Sequence, residues 1–191
     1  GKYHDALLCF EQACKLNETD IWYWYNRGDM LQKLGRYDEA AQVIKQGLAL
    51  DAEHANSWAK LGQIYRLQGQ FKKSIVHYQK AIELKPDYAW AHNGCGLSQK
   101  ALNRNHDAIV SFQNAAQYHA TVVWHWYNLT EVLVDMHRFQ DAVAPAQQAT
   151  HTDPNHAISW GKLGQVLRYV GRYADSLVAY TKAIELNPNY D

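Results

Sequence analysis

The stretch "WAKLGQIYRLQGQFKKS", residues 58–74, recurs along the chain at a fixed spacing. Related stretches begin at residues 24, 92, 126 and 160, so successive copies start 34 residues apart. They read "WYNRGDMLQKLGRYDEA", "HNGCGLSQKALNRNHDA", "WYNLTEVLVDMHRFQDA" and "WGKLGQVLRYVGRYADS". Self-similarity at one period indicates a repeat architecture, in which each unit packs on its neighbours.

Each copy has the pattern of a helical hairpin. At about 100° per residue, one stripe of a first helix holds Trp58, Leu61, Gly62 and Tyr65. The glycine in "LQGQF" predicts a short turn before a second helix, and the proline in "LKPDY" ends that second helix. Further on, a bulky or apolar position is held by Ile44, Tyr78, Phe112, Ala146 and Tyr180, and a small one by Gly47, Ala81, Ala115, Ala149 and Ala183.

These residues resemble the tetratricopeptide repeat family, whose pattern runs W-x2-L-G-x2-Y, then A-x3-F, then a late proline. Its positions are held by Trp58, Leu61, Gly62, Tyr65, Ser74, Tyr78, Ala81 and Pro86, and again by Trp160, Leu163, Gly164, Leu167, Ser176, Tyr180, Ala183 and Pro188. The resemblance covers essentially the whole chain. It implies an all-α fold, a right-handed superhelical solenoid of stacked helical hairpins.

The predicted repeats span residues 21–54, 55–88, 89–122, 123–156 and 157–190, and residues 1–20 match the second half of a further repeat. We expect one continuous array cut from a longer chain, with uncapped ends that favour end-to-end self-association. The repeats at 89–122 and 123–156 are divergent. Asn103 and His137 replace the turn glycine, and Pro145 should kink or loosen a second helix. Drift in a tolerant array and a deliberate bend both explain this divergence.

Composition argues against several functions. Lys plus Arg and Asp plus Glu each number 19, so the zero formal charge disfavours nucleic acid and anionic membranes as partners. No apolar run reaches the roughly 20 residues of a membrane span. Cys9, Cys14 and Cys95 lack metal-type spacing, which predicts reduced thiols in the cytoplasm. The chain carries no nucleophile elbow, phosphate loop or dinucleotide motif, so we expect no enzyme activity, cofactor or metal site. His151 and His156, which flank the turn at residues 152–155, are expected at the surface.

The face of each first helix opposite the buried stripe supplies the candidate site. In "IWYWYN", residues 21–26, Trp24 heads the buried stripe, whereas Trp22 and Tyr25 point the other way. In the family that the chain resembles, this opposite face lines a concave groove. The implied groove residues are Trp22, Tyr25, Asn26, Asp29, Asn56, Lys60, Gln63, Arg66, Trp90, Asn93, Lys100, Trp124, Tyr127, Asn128, Glu131, Lys162, Gln165 and Arg168.

Such a surface suits an extended peptide. An Asn amide can pair with a backbone N–H and C=O, cationic side chains bind carboxylates, and Trp or Tyr rings anchor apolar groups. Asn26 and Asn128 are the strongest candidates, because Asn has only modest helix propensity. The alternative is that the aromatic residues pack against the neighbouring repeat. The carboxylate clamp of some family members is matched only in part, by Asn26 and Lys60.

We therefore predict a bacterial-type protein–protein interaction module that binds a protein or peptide partner. Two alternatives stay open: an architectural or sensor array that recruits or gates for a larger enzyme or signalling ATPase, and an RNA-binding array. One further pattern bears on the site. Trp22, Tyr25, Asn26, Lys60, Gln63 and Arg66 return 102 residues later as Trp124, Tyr127, Asn128, Lys162, Gln165 and Arg168. This echo predicts two equivalent subsites, or records the shared ancestry of a duplicated triplet of repeats.

Overall fold

The computed structural model describes residues 1–189, which form eleven α-helices and no strand. The helices are α1 (Lys2–Leu16), α2 (Ile21–Lys33), α3 (Tyr37–Leu50), α4 (Ala55–Leu67), α5 (Phe71–Leu84), α6 (Ala89–Ala101), α7 (Asn105–Tyr118), α8 (Val123–Asp135), α9 (Phe139–Thr152), α10 (Ala157–Tyr169) and α11 (Tyr173–Leu186). The chain divides into two compact units, Gly1–Leu102 with α1 to α6 and Asn103–Asp191 with α7 to α11. The boundary lies in the turn of the predicted repeat 89–122.

Stacked helical hairpins build each unit, which confirms the predicted fold class. In the first unit, α2 packs on α3 and α4 on α5, while α1 covers α2 and α6 covers α5. In the second unit, the hairpins are α8 with α9 and α10 with α11, and α7 packs on α8. The core of the first unit includes Leu31, Ile44, Leu61 and Ile64, each almost completely buried.

Glycine permits the close approach of the two helices in a hairpin. A Cβ added at Gly62 would lie 2.9 Å from the Tyr78 ring, closer than a side chain can stand. Ser74 then ties the pair, because its buried hydroxyl donates to the Gly62 carbonyl at 2.8 Å. The same bond recurs in the last hairpin, where the Ser176 hydroxyl donates to the Gly164 carbonyl at 2.8 Å. The glycine of the sequence pattern is thus explained by the partner helix.

The turn inside each repeat adopts the left-handed region at one fixed position. Gly35, Gly69 and Gly171 have φ of 75°, 72° and 80°, and the two replacements found in the sequence, Asn103 and His137, both have φ of 57°. Non-glycine residues pay a steric penalty in this region, and Asn bears it most easily. The divergent repeats therefore keep the turn geometry and accept its strain.

Pro145 does not interrupt its helix. The α9 helix runs without a break from Phe139 to Thr152, with Pro145 buried inside it. Proline lacks a backbone donor, so the surrounding packing must stabilise this helix despite one missing hydrogen bond. The expected kink or loosening at Pro145 stays a prediction.

A tryptophan in the first turn of four first helices is hydrogen-bonded to the loop that precedes its helix. The indole Nε1 groups of Trp24, Trp58, Trp126 and Trp160 donate to the carbonyls of Glu18, Ala52, Ala120 and Pro154, at 2.9, 2.8, 2.8 and 2.8 Å. His92 stands at the same repeat position, and its Nε2 lies 2.9 Å from the Pro86 carbonyl. In all five repeats the bonded carbonyl therefore lies 6 residues upstream of the ring that contacts it. These side chains are half-buried or buried, in agreement with the predicted stripe.

The α11 helix presents an apolar face to solvent. Tyr173, Leu177 and Val178 are 69%, 69% and 67% exposed, and Ile184 is also exposed. In the first unit, the positions of Leu177 on α5 and α3 are held by the buried Ile75 and Ala41. Exposed apolar surface of this kind favours association. The predicted end-to-end self-association would use this face and stays a prediction.

Candidate functional site

The predicted groove residues differ widely in exposure. Trp22 and Trp124 are each 47% exposed, and Arg168 is also exposed. Lys60 is buried, with only 6% of its surface accessible. The others are half-buried: Tyr25, Asn26, Asp29, Asn56, Gln63, Arg66, Trp90, Asn93, Lys100, Tyr127, Asn128, Glu131, Lys162 and Gln165. Only part of the set is therefore open to a partner, and the two tryptophans supply its most accessible large aromatic surface.

In the first unit, three rings form a cluster that we term the first patch: Trp22, Tyr25 and His54. The Trp22 and His54 ring centroids are 4.6 Å apart with an interplanar angle of 87°. The Tyr25 ring lies 5.6 Å from Trp22 and 6.0 Å from His54, again edge to face. Edge-to-face rings at these distances attract one another, so the exposed indole is held in a defined orientation.

A buried ion pair lies next to the first patch. The Lys60 Nζ donates to Asp29 Oδ1 at 2.6 Å and to Gln63 Oε1 at 3.1 Å. The same ammonium is 5.5 Å from the centre of the Tyr25 ring and 5.6 Å from that of Trp90. The Lys60 charge is thus already paired and sandwiched by rings, which leaves it poorly placed to take a ligand carboxylate.

The ionisation of this neighbourhood follows from burial and pairing. Burial opposes the charge of Asp29, but hydrogen bonds from Lys60 and Lys33 outweigh it and lower the pKa of the carboxyl. Burial raises the pKa of the Tyr25 hydroxyl to about 12, with Tyr88 and Asp29 adding to the effect. Asp29 therefore remains charged and Tyr25 remains a neutral hydroxyl near neutral pH.

The second unit repeats the ring cluster. The second patch consists of Trp124, Tyr127 and His156, with Trp124 and His156 centroids 4.8 Å apart at 82°. Tyr127 lies 5.5 Å from Trp124 at 79°, and the Lys162 Nζ is 5.7 Å from the centre of the Tyr127 ring. The displacement of 102 residues seen in the sequence is therefore reproduced as matching local geometry.

The two histidines were missed by sequence reasoning, which placed His156 at the surface. Both are half-buried residues that precede a first helix, α4 or α10. Their Nδ1 atoms lie 2.7 Å from the hydroxyl oxygens of Ser57 and Ser159. The signal in the sequence was the H-x-x-S spacing shared by residues 54–57 and 156–159. This hydrogen bond fixes each imidazole ring against the exposed tryptophan of its patch.

The predicted asparagine contact has a competitor within the helix. The Asn26 side-chain nitrogen donates to the Trp22 carbonyl at 2.9 Å, one helical turn earlier. Side-chain bonds of this type help explain an Asn within a helix without any ligand. The Asn26 amide can therefore offer a peptide its oxygen more readily than its nitrogen.

Several predicted residues lie apart from the patches or serve packing. Trp90 packs against the buried cluster that contains Tyr78, with its ring centroid 6.1 Å from that of Tyr78 and 5.9 Å from that of Tyr88. Arg66 lies beside the Tyr78 hydroxyl near the end of α4, and Asn93 and Lys100 lie on α6. Trp90, a predicted groove residue, therefore packs against Tyr78 of the preceding repeat.

Two kinds of feature are absent from the residues that the structure describes, a metal-binding cluster and a membrane-spanning helix. Between residues 1 and 189, no cluster of three or more His, Cys, Asp or Glu side chains is arranged to hold a metal ion. Over the same range, every helix is too short or too polar to cross a membrane. Within this range Cys14 and Cys95 are buried and Cys9 is exposed, and none of the three forms a disulfide.

Comparison with family models decides the relationship. A model described as TPR repeat matches residues 1–35 and 62–103, and two described as tetratricopeptide repeat match residues 21–54 and 157–190. The chain belongs to the tetratricopeptide repeat family. Proteins of this family are interaction scaffolds and are generally non-catalytic, so the chain is a protein–protein interaction module. No curated protein matches the sequence.

Solved tetratricopeptide repeat structures share the fold at low sequence identity. YrrB, a TPR protein described as having an unusual peptide-binding site, superimposes with a TM-score of 0.75 at 19% identity, covering 95% of this chain and 93% of that one. MamA from Desulfovibrio magneticus RS-1 gives 0.77 at 15% identity, covering 90% and 97%. A chain of the APC/C hetero-tetramer Cut9-Hcn1 gives 0.76 at 16% identity, covering 98% of this chain and 37% of that one.

Proposed function

We propose that this tetratricopeptide repeat chain binds extended peptide segments of a partner protein through two equivalent patches, one in each unit. The observation that carries the proposal is the recurrence of one arrangement. An equally exposed tryptophan, Trp22 or Trp124, stands against a histidine and a tyrosine in both units. YrrB, which shares the fold, is itself described as binding a peptide.

The chemistry of the patches favours an apolar anchor in the ligand. An indole with about half its surface exposed supplies rigid apolar area, and residues of this kind dominate binding energy at interfaces. The charge of Lys60 is already matched by Asp29, so in the first patch recognition rests on rings and amides. We therefore propose that a large apolar side chain of the peptide packs on each tryptophan, and that the amides of Asn26 and Asn128 contact its backbone.

The test is selection from a displayed library of random linear peptides, followed by calorimetry with the enriched peptides. We expect about two peptides to bind per chain, and Trp22→Ala or Trp124→Ala to reduce this to about one. At the mutated patch, affinity should fall by at least about 30-fold, since a tryptophan anchor contributes about 2 kcal/mol or more.

The matched control is Tyr173→Ala, which removes an exposed aromatic ring from α11, a helix that contributes no residue to either patch. It should leave affinity and stoichiometry unchanged. If enriched peptides bind the Trp22→Ala, Trp124→Ala double variant as tightly as the original chain, the patches are not the peptide site. Failure of the library to yield any peptide with wild-type binding would also contradict the proposal.

A further inference from the structure

The two histidines beside the exposed tryptophans have no role in the peptide chemistry proposed above. Each is fixed at Nδ1 by a serine hydroxyl at 2.7 Å, and each presents its ring to the indole at 4.6 or 4.8 Å. The serines are buried, 1% exposed in both cases, so the anchoring bonds are shielded from water. The imidazole is therefore the rigid element against which the exposed indole rests.

The other ring nitrogen makes protonation costly. The His54 Nε2 is buried and has no hydrogen-bond partner among the described residues. A neutral imidazole can leave this nitrogen as a bare acceptor, whereas a protonated ring must place an N–H and a share of positive charge there. Burying an unpaired polar group costs free energy, and burying a charge costs more.

The groups that face His54 do not remove this cost. The α2 helix presents the rings of Trp22 and Tyr25, which carry no formal charge, and α4 contributes the Ser57 hydroxyl. Asp51, in the loop before α4, is the charged group that favours protonation, but burial outweighs it and lowers the pKa of the imidazole. The helix N-terminus that follows also disfavours a positive charge.

We propose that His54 is a positioning residue that holds Trp22 in the binding orientation only while the imidazole is neutral, so that acid releases the peptide from the first patch. The inference rests on the proposed peptide function. On protonation the ring exchanges its buried position for water, and the indole loses its edge-to-face support. Binding then pays the cost of ordering the tryptophan, which preorganisation otherwise avoids.

Two substitutions separate shape from charge. Both are made in the Trp124→Ala chain, in which only the first patch binds peptide. There, His54→Phe keeps a ring against the Trp22 indole but cannot be protonated, so peptide affinity should be retained and become independent of pH between about 7.5 and 5. His54→Asn keeps a side chain able to bond the serine and removes the ring, so affinity should fall at every pH. The Trp124→Ala chain with His54 intact should bind enriched peptides at least about threefold more weakly at pH 5 than at pH 7.5.

The matched control is His77→Gln. His77 is another partly buried histidine against aromatic rings, Trp58 and Tyr65, with its pKa lowered by burial, but it lies on α5 and touches neither patch. In the same Trp124→Ala background, this variant should keep the pH profile. A profile that persists in His54→Phe, or vanishes in His77→Gln, would overturn the proposal.

A measurement without peptide separates this inference from the proposed function. The indole N–H resonance of Trp22 should shift with pH in the unmodified chain and stop shifting in His54→Phe. If no peptide is ever found but this resonance behaves as stated, peptide binding fails and the coupling between His54 and Trp22 stands. If the resonance does not respond to His54, the coupling is wrong whatever the chain binds.

Discussion

The repeats at 55–88 and 123–156 form the same helical hairpin but place the larger of two facing side chains on opposite helices. In the first, Gly62 faces the large ring of Tyr78, and both are buried. At the same two positions of the second, Thr130 is 0% and Ala146 1% exposed, so the larger residue now stands on the first helix. The hairpin depends on the volume shared between its helices, and less on which helix supplies it.

Exchanging these volumes in the first of the two repeats should give the largest effect. We expect Tyr78→Ala to cost about 3–5 kcal/mol of unfolding free energy by leaving a cavity, and Gly62→Thr to cost about 1–3 kcal/mol by overpacking. The double variant should cost at least about 1 kcal/mol less than the sum, because the new side chain fills the new space. Denaturant unfolding of the four chains measures this coupling, and simple additivity would contradict the volume argument.

A second difference between the two repeats predicts acid sensitivity. Ser57 in the first is replaced by His125 in the second, and burial, helped by His119, lowers the pKa of that imidazole to about 4. Its unfolded counterpart titrates near 6.5, so on acidification the unfolded chain takes up the proton first. Stability from this residue is complete above pH about 6.5 and is lost as pH falls towards about 4, by about 2–3 kcal/mol.

The control for this effect is His125→Ser, which installs the residue of the first repeat. Other partly buried histidines, such as His54 and His77, remain in both chains, so the difference between the two stability profiles isolates His125. We expect the unfolding free energy of the original chain to fall relative to that of His125→Ser as pH decreases from 7 towards 4. Parallel profiles across this range would show that His125 is not held neutral.

The smallest expected effect lies in the turns. His137 adopts a φ of 57° at the position where Gly69 has 72°, and a side chain is disfavoured in that region. His137→Gly should therefore stabilise the chain by about 1 kcal/mol, and Gly69→Ala should destabilise it by a similar amount. The His137 ring also lies 5.6 Å from Phe139, so a thermal unfolding scan that shows His137→Gly to be destabilising would assign that contact the larger weight.

The helices and their repeat period were predictable from sequence, because helix angle and turn chemistry are local properties. The same arithmetic placed Trp22 and Trp124 on an exposed face. It could not identify His54 or His156, since a residue that precedes a helix lies outside the periodic pattern and its tryptophan neighbour lies far away in sequence, near the start of the same predicted repeat. It also could not show that Lys60 is buried against Asp29, because the angle around one helix does not reveal what the adjacent helix places there.

The seven tryptophans of the chain fall into two groups. Four of them, Trp24, Trp58, Trp126 and Trp160, are hydrogen-bonded to the loops in front of their helices. The other three make no such bond to any described residue: Trp22 and Trp124 lie in the two patches, and Trp90 packs beside Tyr78. Opening of a loop would free one indole N–H and expose one half-buried ring to water.

Each bonded indole is consequently a natural fluorophore that belongs to a single loop. A chain that keeps one of them, with phenylalanine at the other tryptophan positions, would report by its emission wavelength when that loop opens. Four such chains would resolve unfolding loop by loop without any attached dye. In the repeat at 89–122, His92 makes the equivalent hydrogen bond, so the loop of that repeat would have no tryptophan reporter.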